Sequence, residues 1–253
     1  MIRIERDGGV VTVFLDRPKV NALSPEFLEA IQRGLEEAWS DPRARAVVLA
    51  SAQDRAFSAG FDLRALDALP PEAFARFFGT FALLYRKVAW ARVPVVAAVG
   101  GHALAGGAIL ALACERRVFG TGEWGFGLTE VDLGLPLPGG VMEMLKEEGD
   151  ARTAYELAAM GRVLRPNEAF ERGIAHRLVP AGEVLAAARE EAAALAAKPP
   201  RALAALREAL RAPLAARMEE ADRDAGTAFL EWWTSPEATE RRRKVLERLG
   251  KGG

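Results

Sequence analysis

Cysteine and histidine are scarce in this sequence: its 253 residues include one cysteine, Cys114, and two histidines, His102 and His176. One cysteine cannot form an internal disulfide, and because Cys114 lies in an apolar helical run we expect a buried, inert thiol. Two histidines make no visible ligand cluster for a metal ion, so we predict no metal site. These absences argue against disulfide-stapled and metal-dependent classes of protein.

Long apolar runs and an excess of one charge are also missing. No apolar run approaches the roughly 20 residues that a bilayer span requires, and the N-terminal MIRIERDGGV carries charges where a signal peptide needs apolar residues. We therefore expect a cytoplasmic protein with no membrane partner. The net charge of −1 gives no reason for a clustered positive surface, which predicts no nucleic-acid partner. The scarcity of asparagine and glutamine predicts a thermophilic source; these residues are Asn21, Asn167, Gln32 and Gln53.

The first part of the chain alternates between strand and helix patterns. IRIER and VVTVFLD flank Asp7-Gly8-Gly9, which predicts a hairpin, and Ser24 followed by Pro25 predicts the start of a helix. Two buried strands, AVVLAS and PVVAAV, flank a loop, AQDRAFSAGFDL, and a long amphipathic helix, PEAFARFFGTFALLYRKVAWAR. This alternation predicts an α/β core over residues 1–195, with ligands at the strand-to-helix loops.

The later part of the chain is helical apart from a short strand at HRLVP. We predict a helical C-terminal region over residues 196–253, with one helix after Pro199-Pro200 and a long helical stretch from Pro213 to Leu249. Trp232 and Trp233 in this region suit either contact with another subunit or packing onto the chain's own core.

Several glycine-rich segments are typical of other functions. GTGEWG has the glycine spacing of a dinucleotide site, but its Gly- and Pro-rich continuation cannot form the helix that such a site requires. Gly101 to Gly106 has the glycine spacing of a P-loop without its Lys-Ser/Thr. AFSAG around Ser58 resembles a nucleophile elbow that lacks the first glycine, so a serine hydrolase at Ser58 stays open as an alternative.

Two segments, AFSAGFDL and ALAGGAIL, share a small-residue turn after a strand. Such turns expose unpaired backbone N–H groups. Two of them aimed at one point would form an oxyanion hole, supported by the helix dipole behind Gly106 and Gly107. The alternative is that each turn only lets a helix pack closely on a strand.

Four ordered segments, DRPKVNALS, AFSAGFDL, PVVAAVGGHALAGGAILALACE and FGLTEVDLGLPLPGG, resemble the crotonase (enoyl-CoA hydratase/isomerase) superfamily. The resemblance covers essentially the whole chain. It implies a spiral of repeated ββα units, a C-terminal all-helical trimerisation region, and a homotrimer or a hexamer built as a dimer of trimers. It also implies acyl-CoA thioester substrates of fatty-acid metabolism and no cofactor, since CoA is part of the substrate.

The resemblance also implies site residues. It places the two oxyanion donors at the backbone N–H groups of Phe61 and Gly106 and a catalytic acid at Glu130, and it makes Asp62 a brace of its loop. Residues of the substrate and CoA site would be Lys19, Val20, Ala22, Ser58, Ala59, Gly60, Asp62, Leu63, Gly107 and Ile109. The basic run Arg241 to Lys244 suits either a CoA phosphate or a solvated helix face.

Ile109 decides the expected reaction. Hydratases of this family use two glutamates, and Ile109 occupies the position of the first. Glu130 alone, with a pKa raised in an apolar pocket, can move a proton between two carbons. We therefore predict isomerisation of a 3-enoyl-CoA to the 2-enoyl-CoA, with hydration of 2-enoyl-CoA as the alternative. Asp132, Glu123 and Glu115 are further acids, and a non-catalytic CoA-ester or RNA-binding module also stays open.

Overall fold

The strands form two sheets in the computed structural model, which describes residues 1–251. The larger sheet has the order β1 (Ile2–Asp7), β2 (Val10–Leu15), β3 (Ala46–Ser51), β5 (Val95–Val99), β7 (Arg116–Gly120) and β10 (Arg177–Val179). The smaller sheet has the order β4 (Ala56–Ser58), β6 (His102–Leu104), β8 (Phe126–Gly127) and β9 (Val163–Leu164). Residues 252 and 253, the end of the predicted C-terminal region, lie outside the described residues.

Eleven helices are present in the described residues, together with 3₁₀ turns at Glu130–Leu133 and Ala181–Glu183. The helices are α1 (Pro25–Ser40), α2 (Leu63–Asp67), α3 (Pro71–Ala89), α4 (Gly106–Ala113), α5 (Gly139–Glu148), α6 (Ala151–Ala158), α7 (Pro166–Glu171), α8 (Val184–Ala196), α9 (Pro200–Ala221), α10 (Ala225–Trp233) and α11 (Pro236–Lys251). None of them, within the residues described, is long and apolar enough to cross a membrane.

The predicted hairpin and first helix are confirmed. β1 and β2 pair antiparallel, and Gly8 turns the chain with φ +55°. The hydroxyl of Ser24 accepts a hydrogen bond from the Phe27 N–H at 3.3 Å, which caps α1. β2, β3, β5, β7 and β10 run parallel, and both faces of the larger sheet are covered, as the apolar runs predict.

Two local predictions were wrong. The segment AQDRAFSAGFDL is not a loop throughout, because it contains β4 and ends at the start of α2; a strand of three residues is too short to show a periodic pattern. The chain also does not begin a new helix at Pro213. Helix α9 continues through this exposed proline, and Leu214 and Met218 pack its second half onto the core.

The C-terminal helices pack on their own chain. Helix α10 lies along α3, where the ring of Phe229 stacks on Phe78 at 3.8 Å and that of Trp233 on Phe74 at 4.2 Å between centroids. Helix α11 contacts α2 and the turn at Glu130–Leu133. Trp233 is therefore a core residue, while Trp232 is exposed.

Candidate active site

Three loops begin at the same end of the smaller sheet. β4, β6 and β8 are parallel neighbours, with Ser58 opposite Ala103 and Leu104 opposite Gly127. The loops that follow these three strands therefore start side by side, as the carboxyl ends of parallel strands do. Phe61 follows β4, Gly106 follows β6 and Glu130 follows β8, so the three residues that the motifs single out follow strands that end side by side.

The backbone N–H of Phe61 is directed by its pairing with Leu23. The Leu23 N–H donates to the Gly60 carbonyl at 2.7 Å, and the Asp62 N–H donates to the Leu23 carbonyl at 2.9 Å. Because successive amides of an extended chain point to opposite sides, the Phe61 N–H points away from Leu23. Within the described part of the chain it has no hydrogen-bond acceptor.

Gly106 supplies a second unpaired donor. It is the first residue of α4, so its N–H has no partner in the helix, and none is found elsewhere among the described residues. Ala105 turns the chain sharply before it, with φ +47°. A β-carbon on Gly60 would lie 3.2 Å from the Gly106 nitrogen, and one on Gly106 would lie 2.9 Å from the Phe61 ring. The two donor segments are therefore in contact, and neither glycine has room for a side chain.

The Glu130 side chain is buried, with 7% of its surface exposed. Its Oε2 has no hydrogen-bond partner in the described residues. Burial raises the pKa of Glu130 from 4.5 to about 7, because no positive group compensates the lost hydration. This is the environment that the sequence predicts for a proton-transferring carboxyl group near neutral pH.

The other candidate acids lie in different surroundings. Ile109 is buried in α4, three residues after Gly106, and brings no carboxylate there. The Asp132 side chain is exposed and lies beside Gly161. Glu123 is exposed and paired with Arg165 at 2.9 Å, and Glu115 is paired with Arg207 at 2.7 Å beyond the far end of α4.

The two segments predicted to line the CoA site are adjacent. The Ala59 N–H donates to the Val20 carbonyl at 2.9 Å, which joins Lys19–Ala22 to Ser58–Leu63. Asn21, which lies in the first of these segments but has no role of its own in the sequence motifs, is fully buried with φ +49°, and its amide donates to the Phe57 carbonyl at 3.0 Å. An asparagine between two apolar residues was the available signal, because asparagine tolerates this left-handed conformation.

Ser58 is completely buried, and its hydroxyl is used within the protein. It donates to the Asn21 carbonyl at 2.8 Å and accepts from the Gly60 N–H at 3.3 Å. Gly107 packs on the same residue, since a β-carbon on Gly107 would lie 2.7 Å from the Ser58 β-carbon. Both residues therefore hold α4 against β4, which gives no support to a serine nucleophile.

Asp62 and the basic run near residue 242 have structural partners. The Asp62 carboxylate accepts from the Ala65 N–H at 3.2 Å, which caps α2, and pairs with Arg17 at 2.8 Å, so it braces its loop as expected. Arg241, Arg243 and Lys244 pair with glutamates of their own helix. Arg242 differs, because it is buried.

The remaining sequence motifs carry no site in the structure. The Cys114 thiol is buried, which raises its pKa to about 12 and makes it the inert thiol expected. GTGEWG leads into β8, not into a helix. The described residues contain no group of three His, Cys, Asp or Glu side chains that could hold a metal ion.

Comparisons with known proteins agree with this geometry. A family model described as enoyl-CoA hydratase/isomerase matches residues 5–249. A putative enoyl-CoA hydratase of Thermus thermophilus is 36% identical over 214 residues, covering 83% of each chain. A carnitinyl-CoA dehydratase of Proteus mirabilis is 36% identical over 216 residues, covering 84% of this chain and 81% of the relative.

Two further relatives extend the comparison. A fatty acid oxidation complex subunit alpha of Shewanella putrefaciens is 34% identical over 193 residues, which are 75% of this chain but 27% of that longer protein. Among solved structures, human mitochondrial delta3-delta2-enoyl-CoA isomerase superposes with a TM-score of 0.94 at 28% identity, covering 100% of this chain and 99% of the other.

Proposed function

Because this chain belongs to the enoyl-CoA hydratase/isomerase family, an enzyme family, we propose that it converts a 3-enoyl-CoA into the conjugated 2-enoyl-CoA. One observation carries the proposal: the carboxyl group of Glu130 is buried and its Oε2 has no hydrogen-bond partner among the described residues, while Ile109 stands where a second acid would be. Moving a double bond requires one group that takes up a proton and returns it, whereas adding water is easiest with two.

The backbone donors stabilise the charge that the reaction creates. The thioester oxygen accepts hydrogen bonds from the N–H groups of Phe61 and Gly106. When a proton leaves C2, negative charge moves onto this oxygen, and each preorganised donor at roughly 2.7–3.1 Å stabilises it by about 3 kcal/mol in the transition state. The first turn of α4, behind Gly106, adds the positive end of its dipole.

Glu130 moves the proton. Its carboxylate takes the proton from C2, and the electrons of that C–H bond form the enolate and its conjugated extension to C4. The same carboxyl group then returns the proton to C4, so the double bond moves from C3–C4 to C2–C3 without change of mass. A pKa of about 7 suits both steps, because the group takes up and releases a proton with similar ease at neutral pH.

Hydration of a 2-enoyl-CoA is the second candidate. It is favoured by the names of two relatives at 36% identity, a putative enoyl-CoA hydratase and a carnitinyl-CoA dehydratase. In this chain Glu130 would then have to activate water without a second carboxylate at residue 109, which is why isomerisation is the stronger proposal.

The proposal also includes the oligomeric state, the cellular location and the use of cofactors. We propose a homotrimer or a dimer of trimers in the cytoplasm, working without a cofactor other than the CoA carried by its substrate. Support for assembly comes from the first half of α9, which leaves Leu206 and Leu210 exposed at 62% and 74%. Exposed apolar side chains on neighbouring turns of one helix are typical of a subunit contact.

The experiment that tests this function is incubation with 2-enoyl- and 3-enoyl-CoA thioesters of several chain lengths, followed by mass and absorbance. Conjugation of the 3-enoyl substrate without a mass change supports isomerisation. Gain of one water by the 2-enoyl substrate would replace it with hydration. No turnover of either substrate, together with tight thioester binding, would indicate a non-catalytic binding protein.

A further inference from the structure

Arg242 in α11 is a buried arginine with partners on two other helices. Only 4% of the residue is exposed. Its Nε donates to the Asp67 carboxylate at 3.1 Å, and another nitrogen donates to the Trp233 carbonyl at 2.5 Å. The guanidinium also lies over the Trp233 ring, 3.8 Å from its centroid. A buried guanidinium is costly unless it is paired in this way, and removing one partner leaves an uncompensated charge.

The helix that carries Arg242 also contacts the Glu130 turn. Arg241 donates to the Asp132 carbonyl at 3.1 Å, and Ala238 is fully buried against Gly134, where an added β-carbon would lie 3.5 Å away. One face of α11 therefore joins two segments that are distant in sequence.

Both segments that α11 joins are close in sequence to a residue of the proposed reaction. Asp67 ends the five-residue helix α2, which starts one residue after Asp62, so Phe61 and Asp67 belong to one short, capped unit. The turn at the other contact begins with Glu130 itself. A displacement of α2 relative to this turn would change the distance between the oxyanion donor and the carboxyl group.

We propose that Arg242 is a positioning residue: by tying α2 and α10 to α11, it sets the separation between the Phe61 N–H and the Glu130 carboxyl group. It touches no reacting atom. The expected effect of Arg242 on the rate rests on the proposed function. Its expected effect on the positions of the two segments rests on the contacts alone.

The test compares Arg242→Met with Arg243→Met in the full-length chain. Methionine keeps much of the apolar stem and removes the charge. Arg243 is the matched control, because it is adjacent in sequence, exposed, and paired with Glu240 and Glu247 of its own helix. Since a misplacement of about 1 Å costs on the order of 100-fold in rate, Arg242→Met lowers kcat by roughly 10- to 100-fold with little change in KM, and Arg243→Met leaves both unchanged.

Amide hydrogen exchange gives a readout that does not depend on turnover. In Arg242→Met, peptides covering α2 and the Glu130–Leu133 turn exchange faster than in the wild type, and Arg243→Met does not change them. Asp67→Asn reproduces part of this effect and serves as the main variant if Arg242→Met does not fold. The double variant Arg242→Met/Asp67→Asn is no slower than Arg242→Met, because both changes remove one contact.

The outcomes separate the two proposals. A lower melting temperature with unchanged kcat and unchanged exchange in both peptides would make Arg242 a purely structural residue and overturn the inference. A wild-type chain that turns over neither thioester would overturn the proposed function. In that case unchanged exchange in Arg242→Met overturns the positioning role, and faster exchange in both peptides supports it.

Discussion

Gly107 lies directly against Ser58: a β-carbon on the glycine would stand 2.7 Å from the serine β-carbon and closer still to its carbonyl oxygen. Helix α4, which starts with the donor Gly106, therefore rests on the strand that leads to Phe61. The mutual position of the two proposed donors depends on this contact between backbones.

Gly107→Ala should consequently destabilise the protein by about 1–3 kcal/mol or more, because the new methyl group must push α4 away from β4, and should lower turnover further. Gly79→Ala in α3 is the control, since nothing lies within 4 Å of its added β-carbon and alanine favours a helix by roughly 0.5–1 kcal/mol. Urea unfolding and kcat of both variants check this. Equal stability of the two variants would contradict the close approach.

Glu130→Gln should reduce isomerase turnover by orders of magnitude while the thioester still binds, because the amide cannot accept and return the proton. Asp132→Asn, in the same turn but exposed, should turn over normally. In the wild type, kcat/KM should rise with pH through about 7 and then level off, since only the ionised carboxylate takes a proton. A flat profile from pH 5 to 9 would remove Glu130 from the mechanism.

The same carboxyl group should make stability depend on pH. Its pKa is raised from 4.5 to about 7 in the folded state, so between these values the folded chain holds a proton that the unfolded chain has lost. The contribution of this group to the free energy of unfolding is thus present at low pH. It falls by on the order of 3 kcal/mol as pH rises through 7. Urea unfolding of wild type and Glu130→Gln at pH 5 and pH 9 measures it: the difference in unfolding free energy should shift in favour of the glutamine variant at pH 9. The same difference at both pH values would contradict a carboxyl group whose pKa is raised by burial.

Ile109→Glu should change the product. It places a second carboxyl group three residues after Gly106, which should yield detectable hydration of a 2-enoyl-CoA, at a cost of several kcal/mol in stability for burying a polar group without a partner. Ile109→Gln has the same size without the acid and should give no hydration. Product masses distinguish them, and identical products from both variants would refute the role assigned to residue 109.

Leu206→Glu combined with Leu210→Glu should break the proposed assembly, because two charges would enter an apolar contact. Light scattering after size exclusion should then give a smaller mass than for the wild type. Glu208→Gln lies between them in sequence on the exposed part of α9 and should leave the mass unchanged. A wild-type chain that runs as a monomer would disprove the assembly itself.

Local chemistry explains which elements could be predicted from the sequence. The hairpin at Gly8 and the start of α1 at Ser24 depend on turn and cap residues next to each other in the chain. β4 has three residues and β8 has two, so neither repeats a pattern often enough to be recognised, and both are stabilised by neighbours from other segments.

The same distinction between local motifs and distant partners applies to the residues of the site. Glu130 and the two glycine turns are visible because each belongs to a short motif. Arg242 is not, because its partner Asp67 is 175 positions away and the pairing exists only in the folded chain. The charge of RRRK instead suggests a solvated helix face, which is correct for Arg243 and wrong for Arg242.

Phe61 contributes its backbone N–H to the proposed reaction. Its ring packs in the core, edge-on against Phe77 and Phe81. Two of the three proposed functional groups are therefore backbone N–H groups, which among natural residues only proline removes, and proline also changes the backbone conformation. A saturation mutagenesis screen would identify Glu130 as a polar position that is sensitive to substitution. At Phe61 and Gly106 it would measure mainly how well each new side chain packs against its neighbours. Replacing the amide with an ester by chemical ligation at residue 61 or 106 removes the donor alone, and is the substitution that such a screen does not contain.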